Sequence, residues 1–274
     1  MIENLKIPPE VLKAFGFKDN AVITQNSDGL INTTFFIEDD QSKIVLQKIN
    51  ANVFKDALAI QSNYEKVYNY VAQYKSNFLM PKPVFASNGN NYFIDGRGEC
   101  WRAFYFITNS KSKPVITTVG EAYAAANLFG RLLKLLDKFP AADLQDSLPQ
   151  FHSLRLRFEQ FENAVESSDA GRKHEATELI DALQERKKYV ELYDKIVQQK
   201  EKFPLRVLHH DAKIANILFD KTTGNILCAV DFDTLMPGYF FSDFGDLIRA
   251  SACSRGEEET DFTKVFIKPA YFEA

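Results

Sequence analysis

The spacing of apolar residues switches between a repeat of two and the helical repeat along this chain, and those switches limit what it can fold into. Between residues 21 and 49 apolar residues alternate by two. AVITQ, TTFFIE and KIVLQKI read as three short strands, separated by a Ser-Asp-Gly turn and an Asp-Asp-Gln-Ser turn. A short helix is expected ahead of them, over residues 8–17. From Asp56, DALAIQSNYEKVYNYVAQY has apolar residues at helical spacing, with Asp56 suited to the N-cap. MPKPVFAS is an extended entry, and NYFIDGRGECWRAFYFI reads as a hairpin turning at residues 95–98. After Ile107 the spacing becomes helical. TTVGEAYAAANLFGRLLKLLDKF and PQFHSLRLRFEQFENAV are two helices, and a charged amphipathic third runs from about Ala176 to Lys202. Three short apolar runs follow, RVLHHD, NILFD and ILCAVDFD, and then helix-like spacing returns around DFGDLIRA.

The pattern predicts an α+β chain. Residues 1–107 form a mostly antiparallel sheet with one inserted helix, and residues 108–274 are mainly helical. The polar stretch TNSKSKPV marks the boundary. With 24 Phe and 11 Tyr among 274 residues there is ample material for a core. The formal net charge is −4 and the basic residues are scattered, which argues against a nucleic-acid partner. No stretch approaches the ~18 consecutive apolar residues of a membrane span, and the start lacks a basic-then-apolar leader. Three cysteines without CxxC spacing read as thiols in a reducing compartment, so the cytoplasm is expected.

The chemistry concentrates in LHHDAKIANILF, residues 208–219. His209-x-Asp211 is followed by Asn216, and a turn later VDFD brings Asp231. A loop running into a hairpin would bring Asp211, Asn216 and Asp231 to one end of two strands. An Asp and an Asn supply the oxygen ligands that Mg²⁺ favours, with phosphate oxygens completing the shell. A further carboxylate accepts a hydroxyl proton. These are the parts that phosphoryl transfer needs.

The spacing HxDxxxxN with a downstream Asp resembles the protein-kinase-like small-molecule kinases, the superfamily of aminoglycoside phosphotransferases and of choline, ethanolamine and homoserine kinases. HHDAKIANILFD, VDFDTLMPG, DFGDLIR, GLINTTF, VLQKINANVFKDALAIQSN, WRAFYFI and LPQFHSLRLRF are similar to the N-acetylhexosamine kinases that phosphorylate the anomeric hydroxyl. The match runs from about residue 22 to the end. The resemblance implies a two-lobed protein-kinase-like fold and an ATP- and Mg²⁺-dependent kinase with a small-molecule acceptor, a sugar. Asp211 matches the catalytic base and His209 the residue that shapes the catalytic loop. Asn216 and Asp231 match the magnesium ligands. Gly29 and Asn32 fall at the phosphate-covering turn, and Glu65 matches the helix glutamate that fixes the phosphate-binding basic residue. Phe106, Ile107 and Thr108 match the hinge whose backbone contacts adenine. Lys48 carries the charge expected of the phosphate-binding position on the third strand, although Gln47 also fits that place. The sugar kinases usually continue through several more helices, so the C-terminal part is expected to lack some of them.

Other readings stay open beside these. The acceptor is alternatively an amino alcohol, homoserine or an aminoglycoside, and a non-catalytic nucleotide-binding protein is the alternative of another class. Asp233 is a second metal contact or a strand-end cap. His210 fills space or faces the acceptor. Asp243 and Asp246 cap the following helix or support the catalytic loop, and Arg249 reaches substrate or pairs with Asp246. Trp101 reads as core.

Overall fold

Alternation by two produces the sheet that the sequence leads one to expect. A computed structural model of the chain describes residues 7–18, 20–26, 31–40, 42–74, 78–256 and 259–274. A short helix, α1 (Pro9–Ala14), precedes three strands, β1 (Val22–Asn26), β2 (Thr33–Glu38) and β3 (Lys43–Lys48). Helix α2 (Ala57–Gln73) follows, its first turn capped by the Asp56 carboxylate, which accepts from the Ala59 N–H at 2.9 Å. Then come β4 (Pro83–Val84), β5 (Phe93–Ile94) and β6 (Cys100–Tyr105). The sheet order is β1-β2-β3-β6-β4, with β5 also on β6, and every pairing is antiparallel.

Register divides this sheet into two faces. Phe35, Leu46 and Ala103 lie opposite one another across β2, β3 and β6, and with Ile37, Ile44 and Trp101 they pack on α1. The next row, Thr34, Gln47 and Arg102, points to the other face. On that face Phe104 meets Tyr64 of α2 edge-on, with ring centroids 5.2 Å apart. Asn63 of α2 ties the helix to the chain beyond Asp231, donating from Nδ2 to the carbonyls of Leu235 at 3.0 Å and Gln145 at 2.8 Å.

The rest begins with β7 (Ser110–Lys111) and α3 (Val119–Leu135). The stretch read as a linker is therefore partly paired: β7 lies on β9 (Ile217–Asp220), and β10 (Ile226–Ala229) completes a three-stranded sheet. Strand β8 (Arg206–Leu208) pairs with β11 (Met236–Gly238), and α8 (Phe241–Ala252) and α9 (Pro269–Glu273) close the chain. The compact units are Met1–Ser147 with Arg206–Ala274, and Leu148–Leu205. Residues on both sides of position 107 fall in the first of these, where β8, β10 and α8 pack on α3.

Within the second unit the single helix expected over 176–202 is resolved into pieces. Helix α4 (Leu154–Ser167) is followed by α5 (Ala170–Glu175), α6 (Thr177–Gln184) and α7 (Lys187–Val197). A turn at residues 185–186 sends α7 back along α4, where Arg155 pairs with Asp194 and Glu162 with Lys187. Amphipathic spacing continued through this turn, so periodicity alone did not reveal it. Among the described residues no helix is long and apolar enough to cross a membrane.

The β5–β6 hairpin depends on one carboxylate. Asp95 Oδ1 accepts from the N–H groups of Arg97 at 2.9 Å and Glu99 at 3.0 Å, and Oδ2 accepts from Trp101 Nε1 at 2.9 Å. The left-handed turn residue is Gly98, at φ 80°. The carboxylate is covered by its own turn rather than sunk in the core. Desolvation pushes the Asp95 carboxyl up, but the bonds from Trp101 and the two backbone groups outweigh it and hold the group below the usual carboxylate range. We predict that Asp95→Ala lowers unfolding stability by about 1–3 kcal/mol. A depressed folded value means a contribution present above the unfolded value of about 3.9 and lost as pH falls through the folded one. Urea unfolding as a function of pH should therefore show an acid loss in the parent chain that is smaller in Asp95→Asn.

Candidate active site

The loop after β8 carries HHDAKIAN, and its first two residues are fixed from below. The Asp243 carboxylate, at the start of α8, accepts from the His209 N–H at 2.9 Å and from the His210 N–H at 2.7 Å. Asp243 is 2% exposed, so it supports the loop from inside the protein. The His209 ring is fully buried beside Phe129 and Phe232. Its Nε2 faces the Val230 carbonyl at 3.0 Å, and because a carbonyl only accepts, the proton lies on Nε2. A group with no exposed surface shapes the loop and does not meet substrate. His210 has a positive φ of 62° and is buried against Gly238, with Nε2 3.3 Å from the Pro237 carbonyl. It fills space, and a Cβ at position 238 would overlap its ring.

Asp211, Asn216 and Asp231 come together. Asn216 Nδ2 donates to Asp211 Oδ2 at 2.7 Å and to the Asp211 carbonyl at 3.0 Å. The Asn216 carbonyl accepts from the Val230 N–H at 2.9 Å, which sets Asp231 beside it. The Val230 peptide groups are thus held by both His209 and Asn216. Asp231 has left-handed backbone, φ 63° and ψ 60°, a conformation that Asp tolerates better than most residues. Lys213 Nζ lies 3.2 Å from Asp211 Oδ2. Its place between Asp211 and Asn216 is a signal that sequence reasoning passed over.

The donor set suits a hard cation. The Asn216 amide nitrogen is committed to Asp211, so Oδ1 is the atom left to bind a metal. Among the described residues, the Asp231 carboxylate receives no hydrogen bond. Asp231 is an exposed residue, although protein atoms crowd the carboxyl itself on most sides. Lost hydration, then the charge of Asp233, push it up to about 7, with Arg102 acting in the opposite sense and Asp211 adding to the rise. An amide oxygen and one or two carboxylates, completed by phosphate oxygens, are what Mg²⁺ takes.

The charge near this cluster comes from a different strand than expected. Lys48 shares its face with Leu46 and Trp101, and its ammonium pairs with Glu99 at 2.8 Å. Glu65 lies half-buried on α2 by a shallow recess with Asp56, Ser62 and Tyr92. The Lys48–Glu65 partnership implied by the resemblance is therefore replaced by Lys48–Glu99. The physical reason is strand alternation: residue 48 points to the α1 face and Gln47 to the other. On Gln47's side the cation is Arg102 of β6, missed in the sequence although a lone basic residue inside WRAFYF was its signal. Arg102 Nε donates to Gln47 Oε1 at 3.0 Å, and its Nη2 lies 2.5 Å from Asp233 Oδ1, with both side chains of that ion pair 3% exposed. The 2.5 Å contact is an ion pair without hydrogen-bond alignment.

The second oxygen of Asp233 accepts from Asn32 Nδ2 at 2.6 Å, so both of its oxygens face protein groups. Asn32 Oδ1 accepts from the Asn50 N–H at 3.0 Å, so the whole Asn32 amide is engaged within the protein. Gly29 lies outside the described residues. Of the hinge residues, Phe106 donates its N–H to the Lys43 carbonyl at 2.9 Å, the Ile107 carbonyl accepts from Ser110 Oγ at 2.6 Å, and Thr108 is exposed. Arg249 pairs with Asp246, Nη2 to Oδ1 at 2.6 Å.

A methyl group tests the loop's fit. We predict that Gly238→Ala, by forcing the His210 ring aside, destabilises the chain by about 1–3 kcal/mol, read as a lowered melting temperature. A melting temperature equal to the parent's would mean that His210 is not packed as described.

Comparison with known proteins bears on the family and the fold. Residues 22–262 match the model of the phosphotransferase enzyme family. Among solved structures, a microcompartment-associated aminopropanol kinase is similar at a TM-score of 0.66 and 18% identity, over 87% of this chain and 72% of that one. An aminoglycoside phosphotransferase from Alicyclobacillus acidocaldarius subsp. acidocaldarius DSM 446 is similar at 0.62 and 14% identity, over 89% and 71%. A spectinomycin phosphotransferase in complex with ADP and spectinomycin gives 0.51 and 12% identity, over 79% and 64%. These likenesses show the expected protein-kinase-like α+β fold. Since the family model spans most of the chain, the protein belongs to the phosphotransferase enzyme family.

Proposed function

We propose that this enzyme is an ATP- and Mg²⁺-dependent kinase that transfers the γ-phosphoryl group to a hydroxyl of a small molecule in the cytoplasm. The observation that carries the reading is Asn216: its side-chain amide bonds Asp211 and its backbone carbonyl accepts from Val230, beside Asp231, so one residue joins the base to the cation ligands. Asp211 accepts Asn216 and Lys213 at Oδ2, which leaves Oδ1 to orient the acceptor hydroxyl and take its proton. Asn216 and Asp231 would hold Mg²⁺, whose chemistry is to neutralise charge on the phosphate oxygens. Catalysis in such a site comes from positioning and charge neutralisation, because the transition state is loose.

The favoured acceptor is the anomeric hydroxyl of an N-acetylhexosamine. The motifs DFGDLIR, VDFDTLMPG and GLINTTF support it through their likeness to the N-acetylhexosamine kinases. A second reading has an amino alcohol as acceptor, favoured by the fold likeness to an aminopropanol kinase. Homoserine and aminoglycosides stay in the same class. A non-catalytic nucleotide binder is disfavoured, because Asp211, Asn216 and Asp231 are all present.

ADP release measured across N-acetylhexosamines, aminopropanol, choline, ethanolamine, homoserine and kanamycin discriminates these readings. Turnover with the N-acetylhexosamines is expected, and turnover with the amines alone would reject the sugar. Asp211→Asn should lower kcat by about 10²–10⁴-fold with MgATP affinity kept. Parent-like turnover in that variant would remove Asp211 from the chemistry.

A further inference from the structure

A buried ion pair stabilises a fold less than apolar side chains of the same volume, so its presence asks for another reason. Arg102 and Asp233 form such a pair, each side chain 3% exposed. Their hydrogen-bond partners come from two other segments, β3 and the residue before β2. The guanidinium is oriented by Gln47 on β3, whose Nε2 in turn donates to Thr34 Oγ1 on β2 at 3.1 Å, and it lies 5.2 Å from the Phe104 ring centre. The carboxylate takes Asn32 from the end of the β1–β2 connection. Asp233 itself belongs to the 3-10 turn Phe232–Thr234, directly after Asp231. The far end of that turn is fixed too: Thr234 Oγ1 donates to the His209 carbonyl at 2.6 Å. Asp231 therefore sits in left-handed backbone between Val230, held by Asn216 and His209, and a turn clamped to the sheet through Asp233.

We propose that Arg102 and Asp233, closed by Asn32, are positioning residues that lock the Asp231 turn to the sheet and so pre-set the cation carried with the nucleotide. This rests on the reading of the site as an MgATP centre. Both Asp233 oxygens are occupied by Arg102 and Asn32, whereas Asp231, two residues earlier, accepts nothing among the described residues. The two carboxylates divide the work: one binds the protein and the other is left for the cation. Because Asn32 directly precedes β2, the same carboxylate gives the start of that strand and the cation ligand one frame.

The test compares ATP binding with Mg²⁺ and with EDTA by calorimetry, alongside thermal unfolding. The variants are Arg102→Met/Asp233→Leu, which replaces the pair by apolar groups, and Asn32→Ala. We expect the double variant to remain folded and to bind Mg²⁺-free ATP within about threefold of the parent. Its gain in affinity on adding Mg²⁺ should fall by about tenfold or more, as when the support of a metal ligand is removed. Asn32→Ala should lower the same gain. A purely structural pair would leave the gain untouched in a folded variant, and that result would overturn the inference. If the double variant does not fold, Asn32→Ala gives the same reading, since it keeps the ion pair and removes the bond that closes it. An unchanged gain there overturns the inference equally. A parent chain that binds no MgATP would refute the kinase reading and this inference with it, whereas a binding parent with unchanged variants refutes the inference alone.

Discussion

The Arg102–Asp233 ion pair joins the antiparallel sheet to the turn that carries Asp231, and the rest of the site depends on that junction. Removing one partner would leave a buried charge uncompensated, at about 3–5 kcal/mol. The pair cannot form unless three things hold at once. Arg102 must face away from Trp101, which the β3–β6 register ensures. The hairpin before it must close, which the Asp95 carboxylate ensures. The chain after β10 must turn back at Asp231 in a left-handed conformation. Local choices and long-range contacts point to the same arrangement, as a well-specified fold requires.

A second support lies beneath the loop. Asp243 takes two consecutive backbone N–H groups, and His209 and Thr234 connect that loop to Val230 and to the turn. Left-handed backbone at His210 and Asp231 is strained by about 1–3 kcal/mol per residue, and such strain persists only where surroundings over-determine it. Here they do: the buried His210 ring lies over Gly238, and the peptide before Asp231 is held on both sides. The result is the Asp211 carboxylate, the Asn216 amide and the Asp231 carboxylate presented together with little freedom to rearrange, which suits chemistry that relies on positioning.

Much of this was legible from residue order. Period-two and period-3.6 spacing located β1, β2, β3, α2, the β5–β6 hairpin and α3; all but β1, which is mostly exposed, bury apolar residues in one of two core clusters. The grouping of Asp211, Asn216 and Asp231 was legible because a loop, a strand and a tight turn fix their separations. What escaped was the pairing of charges across strands. Whether residue 47 or 48 faces the site is decided by register, and a shift of one residue reverses the answer. Arg102 escaped for the same reason: its partner Asp233 is distant in sequence, and only the folded sheet brings them within 2.5 Å. The break between α6 and α7 was hidden because amphipathic spacing ran through it.

The account's central claim is that Asn216 and Asp231 together present the cation to the phosphates beside Asp211. Electron paramagnetic resonance of Mn²⁺ added to the chain with ADP measures this most directly. The account predicts that binding of the nucleotide-linked Mn²⁺ is lost in Asp231→Asn and weakened by about tenfold in Asn216→Ala. Mn²⁺ bound with parent affinity in a folded Asp231→Asn variant would contradict it.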